Sequence, residues 1–344
     1  MARQEIGFGI IGLGTWGEWH LKTLSQEPGV RLVGACDLNE KLLAQRGAQY
    51  DLEFATTDYR ELLARDDIDA VSIVTPDFLH CDIALAAARA GKHILLEKPM
   101  ATSLADARAI AAAVRQSGVT LMVDFHNRWN PTLMEMKNAV AAGELGELKM
   151  ASLRMSNRIW VPTELLSWGG QTTVAWWLGA HVADLACWLF QDRVARVYAV
   201  AGRGVLAGRG LDTPDFFHSI LEFRGGAVAH LDNCWILGDA MPAVIDFQVM
   251  LVGAEGTMYA DCSHNLSSQK YTHETAAWPN PLVVVDSHGT PRGFATESIR
   301  YFAHCLLNGT APLVTLEEAV HNTEVLAAIH ESAQQGQPVA VASD

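Results

Sequence analysis

The chain has 344 residues, of which 49% are hydrophobic and 19% charged, the make-up of a globular protein long enough for two domains with a core each. Its formal net charge of −14 excludes nucleic acid and anionic membrane surfaces as partners, because no basic patch offsets repulsion from phosphates. Cys36, Cys81, Cys187, Cys234, Cys262 and Cys305 stand singly, without the paired spacing of zinc sites or disulfide frameworks, and read as reduced thiols.

The chain runs within a few residues into an apolar segment, 6–11, that reads as a first strand rather than a cleavable signal. No apolar run reaches the roughly 20 residues that a spanning helix needs, so a cytoplasmic location is expected. From there to about residue 124, short β-branched runs at 6–11, 31–36, 70–74, 93–96 and 120–123 alternate with helical runs at 39–46, 81–90 and 104–116. That alternation predicts a doubly wound parallel sheet, an N-terminal Rossmann domain over residues 1–128.

The first strand leads straight into Gly12-Leu13-Gly14-Thr15-Trp16-Gly17, which opens a helix. In this setting the first glycine allows the tight turn and the second lets backbone approach a pyrophosphate. The third lets helix and strand pack, while Thr15 and Trp16 bring free amides of the helix start. Asp37 closes the second strand at the distance where an acid accepts from the adenosine ribose hydroxyls, which favours NAD over NADP. The alternative is that it caps the helix beginning near Asn39.

After Asn130-Pro131 the texture changes. One helix, 132–142, and a turn at 143–146 precede longer alternating runs at 149–158, 195–201, 216–223, 227–235 and 245–252. These predict an open, mostly antiparallel sheet in a C-terminal α+β domain, residues 129–344. The final runs, 296–307 and 316–333, are helical and are expected to return to the first domain.

Four further strings stand in order: Val74-Thr75-Pro76-Asp77-Phe78-Leu79-His80, Leu96-Glu97-Lys98-Pro99, Phe125-His126-Asn127-Arg128-Trp129-Asn130-Pro131 and Gly179-Ala180-His181-Val182-Ala183-Asp184. With the glycine loop they resemble the Gfo/Idh/MocA family over nearly the whole chain. The resemblance implies an NAD(P)-dependent oxidoreductase acting on a secondary hydroxyl or ketone of a sugar, sugar derivative or cyclic polyol. It also implies a homodimer or homotetramer built through the open sheet. By resemblance Lys98 sits beside the nicotinamide and the reacting hydroxyl, Glu97 lies near the nicotinamide ribose, and a cis peptide precedes Pro99. Thr75, Pro76, His80 and Arg128 join the cofactor site, and His181 matches the family's catalytic histidine.

The chemistry wants such a pair, since oxidising an alcohol removes the O–H proton as hydride leaves the carbon. Either His181 or Lys98 serves as the base, and Lys98 also stabilises charge developing on oxygen. Asp184, one helical turn beyond His181, is placed to orient its ring. The family often carries an aspartate four residues before this histidine; here that position is Trp177. The indole of Trp176 or Trp177 either offers an aromatic face to a pyranose ring or packs in the core. His126, Arg154, Asn157, Arg158 and Trp160 are further candidates to line the substrate pocket, and two arginines would suit an anionic sugar. His218, His230, His264, His273 and His288 lack ligand-like spacing with carboxylates, so no metal is expected.

Two rival readings share the fold. One is a sensor or regulator that binds dinucleotide without turnover. The other is a lyase or glycosidase that retains its NAD and works through transient sugar oxidation, with Tyr271, His273 or Glu274 as an extra base.

Overall fold

The computed structural model describes residues 5–263 and 268–341, so His264 lies outside the described residues. Its principal strands are β1 (Ile6–Ile11), β2 (Val30–Cys36), β3 (Phe54–Thr56), β4 (Ala70–Ile73), β5 (His93–Leu96), β6 (Leu121–Val123), β7 (Leu148–Asn157), β8 (Val194–Gly202), β9 (Phe216–Phe223), β10 (Val228–Cys234), β11 (Ile245–Gly253) and β12 (Thr257–Asp261). The helices are α1 (Thr15–Leu24), α2 (Glu40–Gln49), α3 (Tyr59–Leu63), α4 (His80–Arg89), α5 (Leu104–Ser117), α6 (Pro131–Ala141), α7 (Ala180–Phe190), α8 (Phe294–Asn308) and α9 (Leu316–Gln335). The chain forms two compact units, residues up to 126 with 283–320, and residues 127–282 with 321 onward.

In the first unit β1 to β6 make one parallel sheet in the order β3-β2-β1-β4-β5-β6. Every residue of β1 and β4 is buried, as expected when crossover helices cover both faces and the strands read as continuous apolar runs. Ser103 starts α5 by accepting from the Asp106 amide at 3.1 Å and donating to its carboxylate at 2.7 Å, and Gly118 ends the helix at φ 71°. α8 belongs to this unit although it follows in sequence, and its Phe302 meets Phe8 of β1 edge-on at 6.4 Å. The strand order reverses between β1 and β4, which opens a crevice at the carboxyl ends of the strands.

The second unit holds a sheet in the order β12-β11-β7-β10-β9-β8, extended by the strand Val339–Ala340. Its pairs are antiparallel except β7 with β10, which run parallel because β7 lies between β10 and β11 instead of beside its sequence neighbour β8. Strand alternation sorts the residues. Ala151, Leu153, Leu221, Ala229, Leu231, Val249 and Leu251 are buried on the face against which α7 packs. Met150, Tyr198, Val200 and Val228 remain exposed on the other face. β3 and α3, too short to show a period, and β12, whose run of Met258, Tyr259 and Ala260 follows a turn, are additions to the elements read from the sequence.

Candidate active site

The candidate residues are divided between the two units. In the first, Gly12 adopts φ +97°, and a Cβ there would come 2.4 Å from the Val74 carbonyl oxygen. A Cβ on Gly17 would come 2.1 Å from the Gly12 carbonyl oxygen, whereas one on Gly14 would meet nothing within 4 Å. The first and third glycines therefore build the turn, and the second leaves bare backbone facing open space. Gly14 starts α1 without a side-chain cap, so the first-turn amides keep their capacity to bind an anion. Asp37 lies beside this loop. One carboxylate oxygen accepts from the Leu13 amide at 2.7 Å and the other from the Asn39 amide at 2.8 Å. α2 is capped by Asn39 itself, which accepts from the Leu42 amide. Asp37 thus ties the loop to the second strand, and each of its oxygens keeps a lone pair for a ribose hydroxyl. These residues fit a dinucleotide: they would hold its pyrophosphate and adenosine ribose.

At the carboxyl ends of β4, β5 and β6 stand Thr75-Pro76, Glu97-Lys98-Pro99 and Asp124-Phe125-His126. The Lys98–Pro99 peptide is cis. His80, at the start of α4, is buried between two of these loops. Its Nδ1–H donates to the Pro99 carbonyl at 2.7 Å, and Nε2 lies 3.1 Å from the Thr75 carbonyl oxygen. Its role is to join the two loops from beneath, and burial pushes its ring below the usual histidine range.

Lys98 and Glu97 are both buried. Burial pushes the Lys98 amine below its ordinary value, against the opposing pull of Glu97, Asp77 and Asp124. Burial alone would raise Glu97, but the hydrogen bond from His20 and the positive charge of Lys98 hold its carboxyl below the ordinary value. His20 Nε2 lies 3.2 Å from Glu97 Oε1 and 3.9 Å from Asp124, and its Nδ1 is 2.7 Å from the Ser72 hydroxyl. His20, Glu97 and Asp124 each bring a side-chain nitrogen or oxygen within 4.8 Å of the others. Asp124, wholly buried beside Glu97, has its carboxyl pushed well above the ordinary range by burial and by the Glu97 charge. His126 is stacked between Trp16, at 5.4 Å, and Phe294, at 5.8 Å, and burial pushes it down to about 4.

In the second unit His181 sits in the first turn of α7, buried, after the wide turn Ala175–Gly179. The Ala180 carbonyl accepts from the Asn322 amide at 2.9 Å, which anchors the helix start to α9. The sequence suggested that Asp184 orients His181 and that Arg128 meets the cofactor. The structure pairs the two with each other: Arg128 Nε and an NH2 group donate to the two Asp184 oxygens at 3.0 and 2.7 Å, fully out of solvent. A buried guanidinium needs a carboxylate, and this one is supplied from the face of α7.

The substrate candidates separate in the same way. Alternation along β7 puts Arg154 on the face opposite Asn157, where Asp246 neutralises it at 2.8 Å. Arg158 faces Asp239 at 3.9 Å, whose carboxylate also accepts from the Trp160 amide at 3.1 Å. Asn157 is buried and accepts from the Trp177 indole N–H at 3.2 Å. Trp177 is half-buried and lies edge-to-face with Trp168 at 5.6 Å, while Trp176 stacks on His330 at 4.6 Å as a core residue. Tyr271, His273 and Glu274 lie on an exposed hairpin.

His20, Ser72, Asp124 and Trp168 were not picked out from the sequence. A signal existed for two of them. His20 follows Gly17 by three residues and so shares a face of α1 with it, and Asp124 ends β6 as Glu97 ends β5.

Residues 6–125 match the oxidoreductase family, NAD-binding Rossmann fold, and residues 137–341 match the C-terminal alpha/beta domain of the same Gfo/Idh/MocA family. The chain is 28% identical to the scyllo-inositol 2-dehydrogenase (NAD(+)) of Bacillus subtilis over 98% of its length and 96% of that protein. It is 27% identical to the D-apiose dehydrogenase of Paraburkholderia graminis, over 97% and 89%. Among solved structures, GenD2 from gentamicin A biosynthesis, in complex with NAD, superposes with a TM-score of 0.86 at 24% identity, covering 100% of this chain and 98% of that one. The scyllo-inositol dehydrogenase of Lactobacillus casei with bound NAD(H) and scyllo-inositol gives 0.83 at 18%, covering 98% and 100%. With both domains matched over most of its length, the chain belongs to the Gfo/Idh/MocA oxidoreductase family.

Proposed function

We propose that this protein is an NAD-dependent dehydrogenase of a neutral sugar or cyclic polyol, working on a ring secondary alcohol or the corresponding ketone. The observation that carries the reading is Lys98, a buried amine with a lowered affinity for its proton, at the carboxyl end of β5 in a dinucleotide-binding unit. Bound NAD supplies the hydride acceptor. Lys98 hydrogen-bonds the reacting hydroxyl and exchanges its proton, and His181 hydrogen-bonds the same oxygen and steadies the charge that develops on it. A sensor that binds dinucleotide without turnover needs neither residue.

NAD is the preferred cofactor because the Asp37 carboxylate, fixed by two backbone amides, would repel the extra phosphate of NADP. The neutral character of the substrate follows from Arg154, which Asp246 neutralises on the far face of β7. Trp177 and Trp168 offer aromatic surface for the C–H face of a ring in place of the family's aspartate. A second copy of the chain covers the exposed Met150, Tyr198, Val200 and Val228 in a homodimer or homotetramer. The test is the appearance of reduced nicotinamide absorbance with NAD or NADP against aldoses, glycosides, sugar acids and inositols. A rise with NAD and one neutral class supports the reading; a response confined to sugar acids overturns the substrate class, and NAD binding without any turnover overturns the activity.

A further inference from the structure

Behind Lys98 the first unit buries more acid than one ammonium balances. Asp77, Glu97 and Asp124 all face Lys98, and each is almost or wholly out of solvent. The other groups packed against the set are His20 from α1, His80 from α4, His126 beyond β6 and the Ser298 hydroxyl from α8. His20 bridges the set, with Nδ1 2.7 Å from the Ser72 hydroxyl and Nε2 3.2 Å from Glu97, and even as a cation it would balance, together with Lys98, only two of the three acids. His126, stacked between two aromatic rings, is uncharged in neutral solution.

Glu97 and Asp124 are neighbouring carboxyls, and neither oxygen of Asp124 has a hydrogen-bond partner of ordinary geometry. A dry carboxylate beside a second carboxylate is not stable as a charge, so the pair must hold a proton or a cation must supply the missing positive charge. Residues at the carboxyl ends of β4 to β6 would hold the nicotinamide end of a dinucleotide, and the oxidised cofactor would supply a positive charge that the reduced one lacks.

We propose that Glu97 and Asp124 share one proton while the nicotinamide site is empty or holds reduced cofactor, release it when the oxidised cofactor binds, and recover it from the substrate hydroxyl through Lys98 during hydride transfer. The balance closes. Oxidation breaks the C–H and O–H bonds of the alcohol; the hydride leaves with its electron pair to the nicotinamide, cancelling the ring's charge, and the hydroxyl proton is taken up at Lys98 as a proton from its ammonium moves to the Glu97 and Asp124 pair. The charge of the buried site is therefore the same before and after the chemical step, which removes the penalty of creating an uncompensated charge in a low dielectric. Asp124 and His20 are positioning residues here, acting through Glu97 and Lys98.

The inference rests on the NAD-dependent reading above, and binding alone tests it without a known substrate. Dissociation constants of NAD+ and NADH are measured by calorimetry for the full chain across the pH range in which it stays folded. NAD+ should bind more tightly as pH rises, approaching about tenfold per pH unit for one released proton, while NADH binding stays flat. In Asp124→Asn the NAD+ dependence should flatten too, because a neutral amide cannot exchange the proton. Failure of both dinucleotides to bind overturns the functional reading and this proposal with it; binding of both with no pH dependence in the unaltered protein overturns the proposal alone. A slope that survives Asp124→Asn and vanishes in His126→Asn, or stoichiometric metal that is retained on dialysis and lost in Asp124→Asn, also overturns it. Should Asp124→Asn not fold, infrared difference spectra of the unaltered protein decide: loss of a protonated-carboxyl band on adding NAD+ supports the shared proton, and no change overturns it.

Discussion

The guanidinium of Arg128 and the carboxylate of Asp184 meet through two hydrogen bonds of 3.0 and 2.7 Å with both side chains almost entirely out of solvent. Removing either partner strands the other as a buried charge, a loss of about 3–5 kcal/mol. Asp184→Asn and Arg128→Met should each lower the thermal midpoint sharply, and the double variant should lose much less than the sum of the two. Additive losses in calorimetry would show that the pair does not act as a unit. Arg128→Lys should fare poorly as well, since an ammonium cannot make both bonds.

The glycine loop separates two effects that usually come together. Gly12→Ala forces a Cβ toward the Val74 carbonyl at a positive φ and should cost stability by about 1–3 kcal/mol. Gly14→Val projects into open space, so the protein should melt near the unaltered midpoint while NAD affinity falls by roughly tenfold or more. Unchanged NAD binding in Gly14→Val would place the pyrophosphate elsewhere.

Lys98→Met and His181→Ala should each lower turnover by roughly a hundredfold or more, with NAD affinity nearly unchanged, if they handle charge and proton at the reacting hydroxyl. Steady-state rates, with NAD binding measured separately, check this, and full activity in either variant would end the assignment. Replacement of Asp37 by Ser should narrow the preference for NAD over NADP without touching turnover at saturating NAD.

His126 makes the protein acid-sensitive. Its ring is neutral in the fold down to about 4, whereas in the unfolded chain it titrates near 6.5, so the unfolded state binds the extra proton between those values. Stability should therefore fall as pH drops through that window, by at most about 1.4 kcal/mol per pH unit from this group. The buried His80, His321 and His330, lowered mainly by desolvation, act in the same direction. In His126→Asn the slope of unfolding free energy against pH should be shallower; an identical slope would clear His126 of the effect.

The parts of the fold legible in the sequence were those with a local cause. β1 and β5 could be bounded to the residue because their apolar runs stop at a glycine loop and at Glu97, and α5 starts at residue 104 as read, where the structure adds the Ser103 cap. What escaped depends on partners distant in the chain. Nothing local to Arg154 says that Asp246 neutralises it, although the alternation of β7 already set it apart from Asn157. The Arg128 and Asp184 pair, 56 residues apart, and the contact of His20 with Glu97, 77 apart, are settled only when strands and helices are assembled. Parallel pairing of β7 with β10 was hidden for the same reason.

The inclusion of residues 283–320 in the first unit has a consequence for biosynthesis. Phe302 covers Phe8, Phe294 backs His126 and Ser298 faces Asp124, so the Rossmann half lacks part of its interior until α8 has left the ribosome. The sheet of the second unit, from β7 through β12, is translated before that. The nascent chain must hold an unfinished nucleotide-binding half while its neighbour folds, and a fragment cut at residue 128 would be an orphan with an open seam rather than a portable cofactor module.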